Sequence, residues 1–212
     1  MTSIHKLLRL LEKGFQMQSK DQLITKNFKD LVGKNYKIIL ADPPWSYYGD
    51  PNKDQAAGKH YDLMSYEDLT KLEVRKIASK TSVIYMWTTG SHLQTAMNLM
   101  NAWGFFYRCV GHIWIKTTLA GKIIHGQGVR PSFIKQMSEL MLIGSTHQRG
   151  RPLELMAENI PQVVLAARPG NVHSKKPDIF RKLITDTYGN VKRVELFCRT
   201  PEAGWDAWGN EV

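Results

Sequence analysis

Acidic side chains are in short supply here: 19 Asp and Glu stand against 29 Lys and Arg, a formal net charge of +10 over 212 residues. Cysteine is scarcer still, with Cys109 and Cys198 alone, each inside an apolar run. That rules out a disulfide framework, and both thiols read as reduced core residues of a cytosolic protein. The seven histidines include no pair at metal-ligand spacing, so no metal is expected. No apolar run approaches the roughly 20 residues of a membrane span. The charged first ten residues do not form a cleavable signal pattern. Nor does a glycine-rich loop follow an early strand, where an unpermuted nucleotide-binding domain would carry it.

What is present is an ordinary globular composition, 42% apolar and 23% charged, of a length that suits one domain with a substantial core. The excess positive charge is concentrated. Residues 1–37 hold eight Lys or Arg against three Asp or Glu. Residues 116–151 hold Lys116, Lys122, Arg130, Lys135, Arg149 and Arg151 against Glu139 alone. Such stretches serve either as solvated faces or as a polyanion footprint. Their position on either side of the segment described next favours the footprint.

That segment is Asp42-Pro43-Pro44-Trp45, directly after the apolar run Tyr36–Ala41. Two prolines end a strand, because they donate no N–H and hold the preceding residue extended. The expected product is a rigid corner at the carboxyl end of a buried strand, where open α/β sheets bind ligands. It offers a carboxylate, the carbonyl of Pro43 and an indole. Together these suit a planar heterocycle with an exocyclic amine: two acceptors for the amine hydrogens and a stacking face.

In chain order, Ile4, Leu7, Leu8, Leu11 and Phe15 predict a short amphipathic helix ending near Gly14, able to pack on the domain, dimerise or lie along a partner. Residues 19–35 read as mostly loop, and residues 46–62 as a long loop of turn formers and tyrosine. Ser65 should begin a helix with Glu67 and Asp68 in its first turn. Strands are expected at 81–87, 105–115, 140–143 and 163–167, with a last one over Arg193–Cys198. Leu93, Ala96, Met97 and Met100 mark one helix closed by Gly104, and Pro177 opens another through about Tyr188. Residues 117–136 form a second loop, and Trp205, Trp208, Gly209 and Asn210 fall in the tail. Strands alternating with helices predict one α/β domain over 36–212 with a largely parallel central sheet, preceded by a basic extension over 1–35.

Further motifs follow the corner in order: His60-Tyr61-x-x-Met64-Ser65, Met86-Trp87, Trp103-Gly104-Phe105, Trp114-x-Lys116, Ser138-Glu139-Leu140, His173-Ser174-x-Lys176-Pro177-Asp178, Glu195-Leu196-Phe197-x-Arg199 and Gly204-Trp205-x-x-Trp208-Gly209-Asn210-Glu211. From about residue 38 onward the chain thus resembles the MT-A70 family of S-adenosylmethionine-dependent adenine-N6 methyltransferases. The resemblance implies a Rossmann-like methyltransferase fold in permuted order, acceptor segment first and cofactor segments near the C-terminus. That would account for the missing early glycine loop.

The resemblance also implies roles. Asp42, Pro43, Pro44 and Trp45 would be catalytic, with Asp42 touching both the target amine and the methionine end of the cofactor. Lys176 would pair with the cofactor's carboxylate, and Arg199, Asn210 and Glu211 would hold its ribose and adenine, with Ile24 against the adenine. Tyr61, Trp87, Trp114, Lys116 and Glu139 would face the target base. Thr200-Pro201-Glu202 departs from the His and Asn of eukaryotic RNA-methylating members, and the ending Trp208–Val212 is more like short bacterial and phage members. The implied activity is methyl transfer from S-adenosylmethionine to adenine N6 in DNA, with RNA as the alternative, in the cytoplasm of a bacterial or phage-infected cell. A competing reading is a non-catalytic nucleic-acid-binding subunit of a heterodimer, and a homodimer is equally open. Methylation of a protein amide is disfavoured, because related amide methylases carry Asn in place of the first Asp.

Overall fold

A computed structural model of the protein describes residues 22–45, 64–126, 134–170 and 175–212. The expected N-terminal helix, the 46–62 loop with Tyr61, residues 127–133 of the second loop, and His173 and Ser174 lie outside the described residues.

The strands are β1 (Ile24–Thr25), β2 (Tyr36–Ala41), β3 (Ala78–Thr88), β4 (Phe106–Thr117), β5 (Ser138–Ser145), β6 (Val163–Ala167), β7 (Arg193–Leu196) and β8 (Asp206–Trp208). The helices are α1 (Tyr66–Lys71), α2 (Val74–Ile77), α3 (Leu93–Ala102) and α4 (Ile179–Tyr188). The strands form a single sheet in the order β1-β8-β7-β2-β3-β5-β4-β6. Every neighbouring pair is parallel except those made by β5, which runs antiparallel to β3 and to β4. The sheet is therefore mixed, with a largely parallel character.

β2 lies at its centre, buried on both faces, which is why its sequence is continuously apolar rather than alternating. Ile39 and Ala41 join a cluster with Leu69, Ala96, Leu99, Met100 and Trp103 from the α1 and α3 side. Ile38 and Leu40 join Tyr85, Trp87 and Trp114 under Phe180, Leu183 and Ile184 of α4. From β2 the chain works outward to β6, then crosses back through α4 to β7 on the opposite side of β2. The strand order reverses between β2 and β7, so a crevice opens beyond their carboxyl ends.

The local signals acted as expected at several ends. Ser65 caps α1, its hydroxyl accepting the Asp68 N–H at 3.1 Å. Gly104 ends α3 in a left-handed turn with φ 80°, which a side chain would strain.

Three expectations need correction, and one short helix was missed. Residues 19–35 include β1 and a short 3-10 helix over Phe28–Leu31, anchored because Leu23 N–H reaches Asp206 and Gln22 reaches the Trp205 carbonyl. Arg193–Cys198 is not the last strand. The tail returns as β8, a three-residue strand too short to show a pattern, sealed between β7 and β1. Helix α2 was not foreseen, since four residues carry no periodicity. Cys109 is exposed, within the solvent-facing run Phe106–Cys109 of β4; only Cys198 is buried.

Candidate active site

The Asp42–Trp45 corner closes on itself. Trp45 N–H donates to the Pro43 carbonyl at 2.8 Å, a three-residue turn about Pro44, and Trp45 then bridges to Met64. One lone pair of the Pro43 oxygen is thus engaged, which leaves the other for a ligand. The Trp45 indole N–H reaches the Trp87 carbonyl at 3.3 Å, and its ring stacks on His92, centroids 6.0 Å apart. The end of β2 is thereby tied to the end of β3. This corner is built into the sheet edge.

Beside it runs a row of alternating charges. Lys176, which precedes α4, places Nζ 2.6 Å from Asp42 Oδ2 and 3.3 Å from Glu139 Oε2. Glu139, near the start of β5, accepts from Lys116 of β4 at 2.6 Å. Strand pairing explains the meeting: β5 runs antiparallel, so its first residues lie at the same edge as the last residues of β2, β3 and β4. Lys176 also lies over the Trp87 ring at 5.5 Å and Lys116 over Trp114 at 5.1 Å. Burial penalises both Lys176 and Glu139 in their charged forms, but their partners prevail. Asp42 and Glu139 raise the Lys176 pKa, and Lys176 and Lys116 lower that of Glu139.

A second ionic group forms the far wall. Arg181 of α4 donates to Glu195 of β7 at 2.7 Å, to Asp178 at 2.8 Å and to the Thr200 carbonyl at 3.2 Å. Burial raises the Glu195 pKa; Arg181 opposes that shift and Asp42 adds to it. The Cys198 thiol, buried near Glu195, is pushed up to about 12. Phe197 follows β7 with φ 60°, a left-handed backbone that costs a non-glycine residue about 1 kcal/mol. Its ring is fixed edge-on to Trp208 at 5.0 Å. Gly209 then passes so close to Cys198 that a Cβ would collide with the Cys198 carbonyl. Asp42, Trp87, Lys176, Phe180, Glu195 and Arg199 line the resulting cleft.

The residues singled out in the sequence are therefore distributed unevenly. Asp42, Trp87, Lys176, Glu139 and Lys116 form one contact chain. Arg199 lines the cleft and pairs loosely with exposed Glu211 at 3.6 Å, with Asn210 exposed beside it. Trp114 packs in the core, its indole N–H given to the Ala166 carbonyl at 2.8 Å. Ile24 stands on the outermost strand, 49% exposed, three strands from β2. Sequence reasoning overlooked Arg181 and Glu195. The signal was an acid between Val194 and Leu196 in a buried strand, which has to find a cation; Arg181 carried no signal of its own.

The sequence model of MT-A70 matches residues 36–211. The chain belongs to the MT-A70 family. It is 29% identical over 203 residues to the type II methyltransferase M.MunI of a Mycoplasma species, covering 87% of this chain and 81% of that protein. It is 28% identical to a putative N(6)-adenosine-methyltransferase MT-A70-like protein of Medicago truncatula, and 25% identical to the human N(6)-adenine-specific methyltransferase METTL4. Those matches cover 88% and 84% of this chain but only 28% and 38% of the relatives. The MT-A70 match starts at β2 and ends beyond β8, so it contains the whole cleft. Among the described residues no helix is long and apolar enough to cross a membrane, and no cluster of potential metal ligands occurs.

Proposed function

We propose that this protein methylates the N6 amine of adenine in DNA, using S-adenosylmethionine, on a Rossmann-like scaffold whose acceptor segment precedes its cofactor segments. The observation that carries the reading is the Asp42–Lys176 pair at the crevice between β2 and β7. The cleft has the chemistry for such a cofactor: ammonium and guanidinium groups for a carboxylate, acids for an α-ammonium and hydroxyls, and aromatic faces for a sulfonium. Lys176 would hold the carboxylate, with Arg199, Asn210 and Glu211 at the ribose and adenine. The bound cofactor supplies an electrophilic methyl group whose sulfur leaves as a neutral thioether.

The protein's part is positioning and electrostatics. Asp42 and the second lone pair of the Pro43 carbonyl accept the two amine hydrogens, which localises the nitrogen lone pair and aims it at the methyl carbon. N6 gains the methyl and sheds one proton along the hydrogen bond that Asp42 accepts. For Asp42 to act, Lys176 must be drawn partly off it. Glu139 stands ready as its other anionic partner, and Lys116 keeps Glu139 ionised. Trp45 and Trp87 give the site its aromatic wall.

DNA is favoured over RNA because Thr200-Pro201-Glu202 stands where eukaryotic RNA-methylating members carry His and Asn, and because a relative 29% identical across most of this chain is a type II methyltransferase. On that reading the protein acts in the cytoplasm of a bacterial or phage-infected cell. A Drosophila relative, 26% identical, is named as the non-catalytic subunit METTL14, so a structural role is the competing reading. Retention of both Asp42 and Lys176 argues against it. Purified protein, labelled S-adenosylmethionine, and duplex or single-stranded DNA and RNA free of N6-methyladenine decide the matter. Label in DNA that disappears with Asp42→Ala is expected. No label in any nucleic acid overturns the catalytic reading, and label in RNA alone overturns the DNA preference.

A further inference from the structure

Beyond β4 the chain makes a small, well-tied finger. Thr118 N–H donates to Lys122 O at 2.8 Å, Gly121 N–H to Thr118 O at 2.9 Å, and Ile124 N–H to Lys116 O at 2.9 Å. Gly121, with φ 76°, takes the left-handed position that such a turn needs. The Arg168 N–H bonds to the Thr117 carbonyl at 3.3 Å, which ties the end of β6 to the finger's base. At the tip, Leu119 is 95% exposed, and Ile123 on the returning arm is exposed as well. A lone exposed leucine needs no explanation. This one differs in its support and its place.

β4 runs parallel to β2 across the sheet, so the finger projects from the same edge as Asp42. Its base residue, Lys116, is linked to Asp42 through only Glu139 and Lys176. Lys122 on the finger, Arg168 tied to its base and Lys135 are exposed cations, the kind of group that neutralises backbone phosphates. Apolar wedges on basic surfaces are a recurrent means of prising base steps apart. An adenine that is to reach a recessed carboxylate must leave its stack, which opens a gap of roughly 3.4 Å in the duplex.

We propose that Leu119 is a wedge that enters the base stack of duplex DNA as the target adenine swings into the cleft, with Lys122 and Arg168 holding the flanking phosphates. The inference rests on the adenine-methylating function proposed above. The test first reads the sequence that the wild-type protein methylates in a random-sequence duplex library. Methyl transfer is then compared on that matched duplex and on one with the target adenine opposite an abasic site, where unstacking is already easy. Leu119→Ala should lower kcat/KM on the matched duplex about tenfold and leave the abasic duplex nearly unaffected, while Leu119→Met restores the matched rate. Cofactor affinity should not change. Equal losses on both duplexes, as expected if Leu119 contacts a protein partner or supports the fold, overturn the wedge. So does no loss on either, or wild-type activity confined to single strands, although the adenine reading then stands. A wild-type protein that methylates no substrate removes the parent reading instead.

Discussion

The crevice between β2 and β7 and the finger beyond β4 share one edge of the sheet but handle charge in opposite ways. In the crevice, carboxylates and cations alternate at contact distance: Asp42, Lys176, Glu139 and Lys116 on one side, and Glu195 with Arg181 on the other. These groups are largely screened from water, so each charge requires a counter-charge. On the finger the cations are exposed, and the most prominent group between them is an aliphatic side chain. A compensated, enclosed array discriminates small zwitterions by geometry. An uncompensated, wet one attracts a polyanion regardless of sequence. On the proposed function this division separates chemistry from grip along a single strand edge, with Lys116 at the junction.

The comparison can be broken most decisively in the crevice. Asp42→Ala should lower methyl transfer by about 10²–10³-fold, the scale of losing one oriented electrostatic group. Binding to DNA, measured by anisotropy, should survive, since the finger and its cations are untouched. Loss of both together would mean that the two regions are not separate.

Gly209→Ala should come next in size. The new Cβ meets the Cys198 carbonyl, a backbone atom that cannot swing away, so the strand ends must shift. A cost of about 1–3 kcal/mol is expected, read as a lower urea midpoint, with cofactor affinity weakened because Arg199 follows Cys198. An unchanged midpoint would show that the β7–β8 junction yields more easily than the packing implies.

Glu139→Gln separates the two regions by pH. The Glu139 carboxyl sits below its ordinary value of 4.5 because Lys176 and Lys116 outweigh its burial. A depressed acid stabilises the fold above its unfolded pKa, and that contribution fades as pH falls through the lower folded value. The variant should therefore have a lower Tm than wild type at pH 7, and the difference should shrink as pH falls through the lowered folded value. Parallel curves across that range would show that Glu139 is not held by its lysines.

Lys122→Gln should have the smallest effect. It should reduce the slope of log affinity against log salt by about one and barely alter turnover at low salt. A large fall in turnover with no change in slope would move Lys122 from grip to chemistry.

The sheet's inner strands were legible because burial on both faces leaves an unmistakable apolar run, as in Tyr36–Ala41 and Ser82–Trp87. β1 and β8 were not, since two or three residues carry no period and their pairing depends on Gln22 and Leu23 finding residues 180 to 183 positions away. Within the cleft, Asp42 and Lys176 could be named from motifs, but their contact at 2.6 Å could not. Trp114 and Trp87 looked alike in the sequence. Both are buried in the core beneath α4, and of the two only Trp87 also lines the cleft.

What the sequence by itself determined is the type and order of the chemistry: a strand that must stop at Asp42, prolines that fix the corner, and a set of motifs sufficient to define the family. Only the tertiary structure decided which charges neutralise one another. Glu139 meets Lys176 and Lys116 because β5 runs antiparallel, and Glu195 meets Arg181 because the crossover lays α4 over the strands next to β7. Those pairings join residues far apart in the chain, and buried charge can be balanced only in three dimensions.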